Sequence, residues 1–188
     1  TGFTLLAPMY KGIRQTFVNF DADTIDDLKG CKLRVAGLQP VLDCFTCMGV
    51  APTPMSTSEV YTAMSQNVVE GMEIEMSTAA SMALQEVTKT VMMTNHGAAN
   101  YAILVPTKYY TELSADVQEA FDKAATESGT WLADQVEQQD ADALKVFEDA
   151  GCKIVYPYYS AWETAAYGSY AKMYPELAKY ATAMKEAA

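Results

Sequence analysis

Arginine is nearly missing from this 188-residue chain: the thirteen basic residues are eleven lysines plus Arg14 and Arg34. Against 24 Asp and Glu residues they leave a formal net charge of −11. Nucleic acid and anionic membrane both reward clustered Lys and Arg, so this composition argues against either partner. A small anionic ligand remains open, because one nearby arginine outweighs distant, screened carboxylates. Histidine occurs once, at His96. The four cysteines, Cys31, Cys44, Cys47 and Cys152, are too few for a disulfide scaffold, and fit either one or two bridges or buried thiols. No apolar run approaches the roughly eighteen residues of a membrane-spanning helix. The chain opens at Thr1-Gly2-Phe3 without a basic-then-apolar leader, as a mature, processed or truncated product would. There is no G-x-S-x-G elbow, phosphate loop, dinucleotide fingerprint or H-E-x-x-H motif, hence no positive case for an enzyme and none for a cofactor.

Half of the residues are hydrophobic, enough to bury a core in one or two small domains. Thr24 with Asp27 resembles a capping box opening a short helix that Gly30 ends. Residues 31–36 then alternate as a strand, Gly37 to Pro40 form a loop, and a helix is predicted from about Val41 to Met48, closed by Gly49. Pro52 to Met55 reads as extended, and Ser56 with Glu59 as a capping box for a helix to about Gln66. Further strands are predicted at Gly71–Glu75, Val91–Thr94, Tyr101–Val105 and Cys152–Tyr156. This rhythm is that of an α/β sheet. The clearest helix runs from about Ala115 to Ala150 behind the cap Ser114, with Gly129 a plausible bend. Ser160 and Glu163 suggest a C-terminal helical part interrupted at Pro175. The triplet Gly-Cys-Lys occurs twice, at 30–32 and 151–153, as two strand entrances.

Four groups of residues invite a chemical reading. His96, alone after an apolar run, is expected to be a structural hydrogen-bonder rather than a base. Cys44-Phe45-Thr46-Cys47 is a C-x-x-C, but a redox pair needs its first thiol at a helix N-terminus, and here the helix starts near Pro40 or Val41. Packed thiols or a structural cross-link are expected instead, and no second ligand pair supports a metal. Glu70, Glu73 and Glu75 alternate and are expected to form one solvated face. Arg34 sits near the C-terminal end of an apolar strand, the edge where open α/β sheets bind ligands. A guanidinium there can grip a carboxylate or sulfonate at two points. An exposed strand-end arginine or a structural ion pair fits the residues equally well.

The stretch Asp27-Leu28-Lys29-Gly30 through Lys32-Leu33-Arg34-Val35, then Met48-Gly49-Val50-Ala51-Pro52-Thr53-Pro54-Met55, resembles the solute-binding proteins of TRAP transporters, the DctP-like family. Ser58 to Ala63, Val68 to Gly71, Thr94-Asn95-His96, Leu113-Ser114 and Gly151 to Ile154 continue the match in order and spacing. The resemblance implies a periplasmic, two-lobed α/β protein with a mixed sheet flanked by helices and one long connecting helix. It would close on a small organic anion and hand it to TRAP membrane subunits. On this view 1–110 is mainly the second lobe, 111–150 the connecting helix and 151–188 a strand with C-terminal helices, most of the first lobe lying outside the chain.

The family's main carboxylate-binding arginine corresponds to Arg34 and its assisting arginine to Arg14, so the only two arginines occupy both anion-binding positions. Glu73 is counted with them as a pocket residue. Other positions depart from the family pattern. Ile74 stands where an asparagine contacts ligand, Thr57 where an aromatic is frequent, and Gly37 where a polar residue is frequent. A compact or apolar ligand body is therefore expected, not a C4-dicarboxylate or sialic acid by default. The expected protein is a monomer that performs no chemistry. Its rivals are a sensor module built on the same lobe and, behind it, a thiol-redox enzyme using Cys44 and Cys47.

Overall fold

A computed structural model describes residues 2–158 and 174–176. Six strands form one mixed sheet in the order β3-β2-β4-β1-β5-β6: β1 (Phe3–Val18), β2 (Lys32–Val35), β3 (Ala51–Pro54), β4 (Gly71–Glu75), β5 (Thr90–Pro106) and β6 (Lys153–Val155). β2 lies parallel to both β3 and β4, and β6 parallel to β5, while β1 runs antiparallel to β4 and β5. Among the described residues five α-helices accompany them: α1 (Gln39–Cys47), α2 (Val60–Ser65), α3 (Met76–Ser81), α4 (Thr107–Glu112) and α5 (Ala115–Asp149). The predicted α/β class with a mixed sheet and one long helix is what is found. The predicted C-terminal helices lie largely outside the described residues.

Adjacent residues of a strand point to opposite faces, and β1 uses this to serve two cores. Phe17 enters one, with Val60, Met64, Met72, Ile74 and Phe147, its ring centroid 5.1 Å from that of Phe147. Val18 enters the other, with Leu28, Leu33, Val35, Phe45 and Met92. Burying each such side chain contributes about 1.5–3 kcal/mol, so both faces of the inner sheet are firmly held. The outer half of the β1–β5 ribbon is different, with Phe3, Leu5, Tyr101 and Leu104 exposed.

Several local expectations are refined. The helix after Asp23 is one 3-10 turn, Ile25–Leu28, where the Asp27 carboxylate accepts from the Thr24 amide at 2.8 Å. Ser56 precedes another 3-10 turn, Thr57–Glu59, and its hydroxyl bonds Ser58 Oγ rather than capping a helix. α5 runs unbroken through Gly129. The glycine serves a close approach instead: a Cβ there would lie 2.9 Å from the Pro8 carbonyl oxygen. The predicted strands at 91–94 and 101–105 are one continuous strand, β5, paired along its length with β1.

Candidate functional site

Arg34 occupies the last turn of the pleat in β2, flanked by Leu33 and Val35, both fully buried in the second core. Alternation sends its side chain to the other side of the sheet, where its register partners are Thr53 of β3 and Met72 of β4. The residue is only 5% exposed. Its Nε donates to the Met55 carbonyl at 3.0 Å and its Nη2 to Thr57 Oγ1 at 2.8 Å. These two bonds fix one edge of the fork and leave Nη1 and the second Nη2 proton without an acceptor among the described residues. Among the described residues, the fully buried side-chain polar atoms lacking a partner are Gln85 Oε1 and Thr88 Oγ1. No carboxylate among the described residues forms an ion pair with it. Burial holds its pKa below the usual arginine value, with Glu73 and Glu75 pulling it up and Arg14 pushing it down.

Arg14, on β1, is placed opposite Glu75 by the antiparallel register, with Thr16 opposite Glu73. Its Nε and Nη2 grip the two oxygens of Glu73 at 2.5 and 2.9 Å, and Nη2 also donates to the Glu73 carbonyl at 3.1 Å. Nη1 donates to Glu75 Oε1 at 2.5 Å. Four of the five N–H donors of the guanidinium are thus engaged. Lys11 Nζ takes Glu75 Oε2 at 3.1 Å and lies 5.3 Å from the centre of the Tyr101 ring. Despite burial, these carboxylates raise the pKa of Arg14. Burial alone would push the Glu73 carboxyl up; the bonds from His96 and Arg14 outweigh it and hold the group below its ordinary value.

The acids therefore correct the expectation of a solvated face: Glu73 and Glu75 are each 1% exposed, and only Glu70 stays half-buried, accepting from the Lys32 amide at 2.9 Å. His96 joins the same network. Its Nε2 lies 3.2 Å from Glu73 Oε2, its Nδ1 lies 2.8 Å from Thr94 Oγ1, and its ring meets Phe45 edge-on at 5.2 Å. His96 is thus hydrogen-bonded at both nitrogens and set against an aromatic ring. Lys11 was missed by sequence reasoning, although the shared face of Glu73 and Glu75 was readable from their spacing.

The candidate residues fall into separate groups. Thr57 is brought to Arg34, and Glu73 to Arg14. Ile74 packs in the first core at 4% exposure, on the opposite side of β4 from Glu73. Gly37 lies exposed in the loop before α1, where an added Cβ would approach only Pro54 Cβ, at 3.9 Å. All four cysteines are free. Cys44 sits five residues inside α1 with its thiol pushed up to about 11 by burial, then by the charges of Cys47 and Glu73, the reverse of what thiol redox chemistry requires. No group of three metal-ligating side chains occurs among the described residues, nor any helix long and apolar enough to cross a membrane.

Comparison with known proteins points one way. The profile of the bacterial extracellular solute-binding proteins, family 7 (DctP), matches residues 1–177. The sialic acid-binding periplasmic protein SiaP of Vibrio cholerae is 33% identical over 148 residues, 79% of this chain and 46% of its own length. The C4-dicarboxylate-binding periplasmic protein DctP of Rhodobacter capsulatus is 31% identical over 150 residues, 80% of this chain and 45% of its own. A TRAP periplasmic solute-binding protein from Roseobacter denitrificans, solved with bound β-D-glucuronate, superposes with a TM-score of 0.84 at 25% identity, covering 94% of this chain and 60% of that one. The chain spans about half the length of these curated relatives. With the profile matched over nearly its whole length, and the fold shared, the chain belongs to the DctP family of bacterial extracellular solute-binding proteins.

Proposed function

We propose that this chain is the anion-holding part of an extracytoplasmic, periplasmic receptor that captures a small organic acid, a carboxylate or sulfonate, for a TRAP-type transporter. It hands the acid to the membrane subunits, acts as a monomer and performs no chemistry. In its layout, residues 1–110 are mainly the second ligand-binding lobe and 111–150 the connecting helix. One observation carries this reading. Arg34 is almost wholly buried, has no ion-pair partner among the described residues and spends only two of its five N–H donors on them. An arginine with no anion of its own in such a position is suited to receive one from a ligand, and a charge-assisted bidentate contact is strongest where water is excluded. The ligands of these relatives, sialic acid, C4-dicarboxylates and β-D-glucuronate, are all carboxylates.

Thr57 and the Met55 carbonyl have a supporting role. By holding the Nε edge of Arg34 they leave its other donors available, so the frequent aromatic of the family is replaced here by a hydroxyl that holds the arginine in place. The test is calorimetry on the complete protein with a panel of organic acids. Arg34→Lys keeps the charge but loses the fork, and affinity is expected to fall by an order of magnitude or more. Unchanged affinity would remove Arg34 from the ligand contact.

A further inference from the structure

The Cys44-Phe45-Thr46-Cys47 motif has no part in the anion site, and its place in the fold shows what it can do. All four cysteines are thiols in this structure. Helix α1 is short, nine residues with Phe45 as its buried anchor, and its N-cap Leu38 makes no side-chain hydrogen bond. Its C-terminus turns on Gly49, at φ +80°. There the Gly49 amide donates to the Thr46 carbonyl at 3.0 Å and the Val50 amide to the Phe45 carbonyl at 3.1 Å. The Met48 amide is shared between the Cys44 and Phe45 carbonyls, at 3.3 and 3.2 Å, so the last turn is already drawn toward the tighter 3-10 pattern. Cys44 and Cys47 stand at the two ends of that turn, on one face of the helix. Cys47 is exposed and Cys44 half-buried. Cys31 and Cys152 are buried, one in the second core and one in the first, where the Cys152 thiol donates to the Thr88 carbonyl at 3.2 Å.

From this arrangement we infer that Cys44 and Cys47 close an intrahelical disulfide when the protein meets a disulfide oxidant, and that the bond is a structural staple on the end of α1. The proposed extracytoplasmic placement supplies the setting, because disulfides form and persist in oxidising compartments. Three residues along an α-helix separate Cα atoms by about 5 Å, within the roughly 4.4–6.8 Å that a disulfide spans. The Cβ atoms start about 5–6 Å apart and must come to roughly 3.5–4.5 Å, so the bond draws the last turn further in. A turn that already carries i to i−3 bonds is the part of α1 best able to tighten. Exposed Cys47 meets the oxidant first: its thiolate, having lost its proton to solvent, attacks one sulfur of the oxidant and expels the other as a thiol. Cys44 then gives up its proton and attacks the Cys47 sulfur, breaking the mixed bond and releasing the second oxidant thiol. Two protein thiols are oxidised and one oxidant disulfide is reduced. Burial, then the charges of Cys47 and Glu73, push the Cys44 thiol up to about 11, so no stabilised thiolate favours the reduced pair. A disulfide of that kind resists reduction and suits a staple rather than a catalyst.

The experiment incubates the complete, folded and reduced protein with oxidised glutathione, counts free thiols after denaturation and maps the bonded ones by peptide mass spectrometry. Two of the four thiols are expected to disappear, joined as Cys44–Cys47 within one chain. Cys44→Ser is expected to retain glutathione on Cys47, and Cys47→Ser to keep every remaining thiol. Four surviving thiols, a lasting glutathione adduct on wild-type Cys47, or a bond to Cys31 would overturn the inference. Should a serine variant fail to fold, the wild-type map decides alone. A second arm alkylates the protein as cells are harvested. A pair that closes with glutathione but is open in cells would uphold the cross-link and count against the extracytoplasmic placement; a pair closed in both supports the two together.

Discussion

The two arginines of this chain stand on strands of one sheet and have opposite lives. Arg14 is surrounded by carboxylates, makes four hydrogen bonds to Glu73 and Glu75, and has its pKa raised. Arg34 is the more buried of the two, holds only a carbonyl and a hydroxyl among the described residues, and has its pKa lowered by burial. The difference separates two uses of one side chain. A saturated guanidinium is part of the structure, and its removal leaves anions stranded. An unsaturated one costs the empty protein free energy that a ligand can return.

The sharpest way to break this contrast is to remove each charge in turn and measure stability by chemical denaturation. Arg14→Met strands two buried carboxylates and is expected to cost about 3–5 kcal/mol, toward the lower end because the side chain keeps about a quarter of its surface exposed. Arg34→Met removes a buried cation with no counter-ion and is expected to be neutral or stabilising in the absence of ligand. Equal losses for the two would erase the distinction. In binding, Arg34→Lys comes next, with a loss of about 1.4 kcal/mol or more. Thr57→Val removes one of the two bonds that aim Arg34. It is expected to weaken the ligand by about 1 kcal/mol with little change in unfolding midpoint, and an equal fall in stability would make Thr57 a packing residue only.

The smallest effect is in pH dependence. Glu73 has its folded pKa below the unfolded value, so its contribution is fully present above the ordinary carboxylate range and is lost as pH falls through the lowered value. Wild type is therefore expected to lose stability on acidification more steeply than Glu73→Gln below about pH 4.5. Parallel acid profiles for the two would show that the Arg14 network does not hold Glu73 ionised.

How far the sequence disclosed this can be seen at particular residues. β2 and Arg34 were legible because the strand is short, apolar on both sides and bounded by Gly30 and Gly37. Gly30 takes φ +78°, and Gly151, opening the echo of that triplet before β6, takes φ +81°. The echo extends no further than these entrances, since β6 ends in Val155 where β2 has its arginine. β1 was not legible. Its sixteen residues include Pro8, Lys11, Gly12 and Arg14, which break the alternation, and register shifts interrupt its pairing with β5. What makes it a strand is a partner some ninety residues away. The same separation hid the ion network: Glu73 and Glu75 read as a solvated face until the fold brings Arg14 to them across 59 and 61 residues. Non-local pairing decides both cases, and local spacing carries no trace of it.

Two glycine contacts along α5 have a mechanical meaning. A Cβ at Gly129 would strike the Pro8 carbonyl, and one at Gly12, which takes φ +120°, would lie 2.9 Å from Asp140 Oδ2. The contacts are four residues apart on the strand and eleven on the helix, roughly 13 and 16 Å. A rod held against a ribbon at one point can swivel; held at two, it can neither roll nor slide. Helix α5 and the strand bearing Arg14 therefore pack backbone-close at two separated points, and an added methyl at either glycine would push them apart.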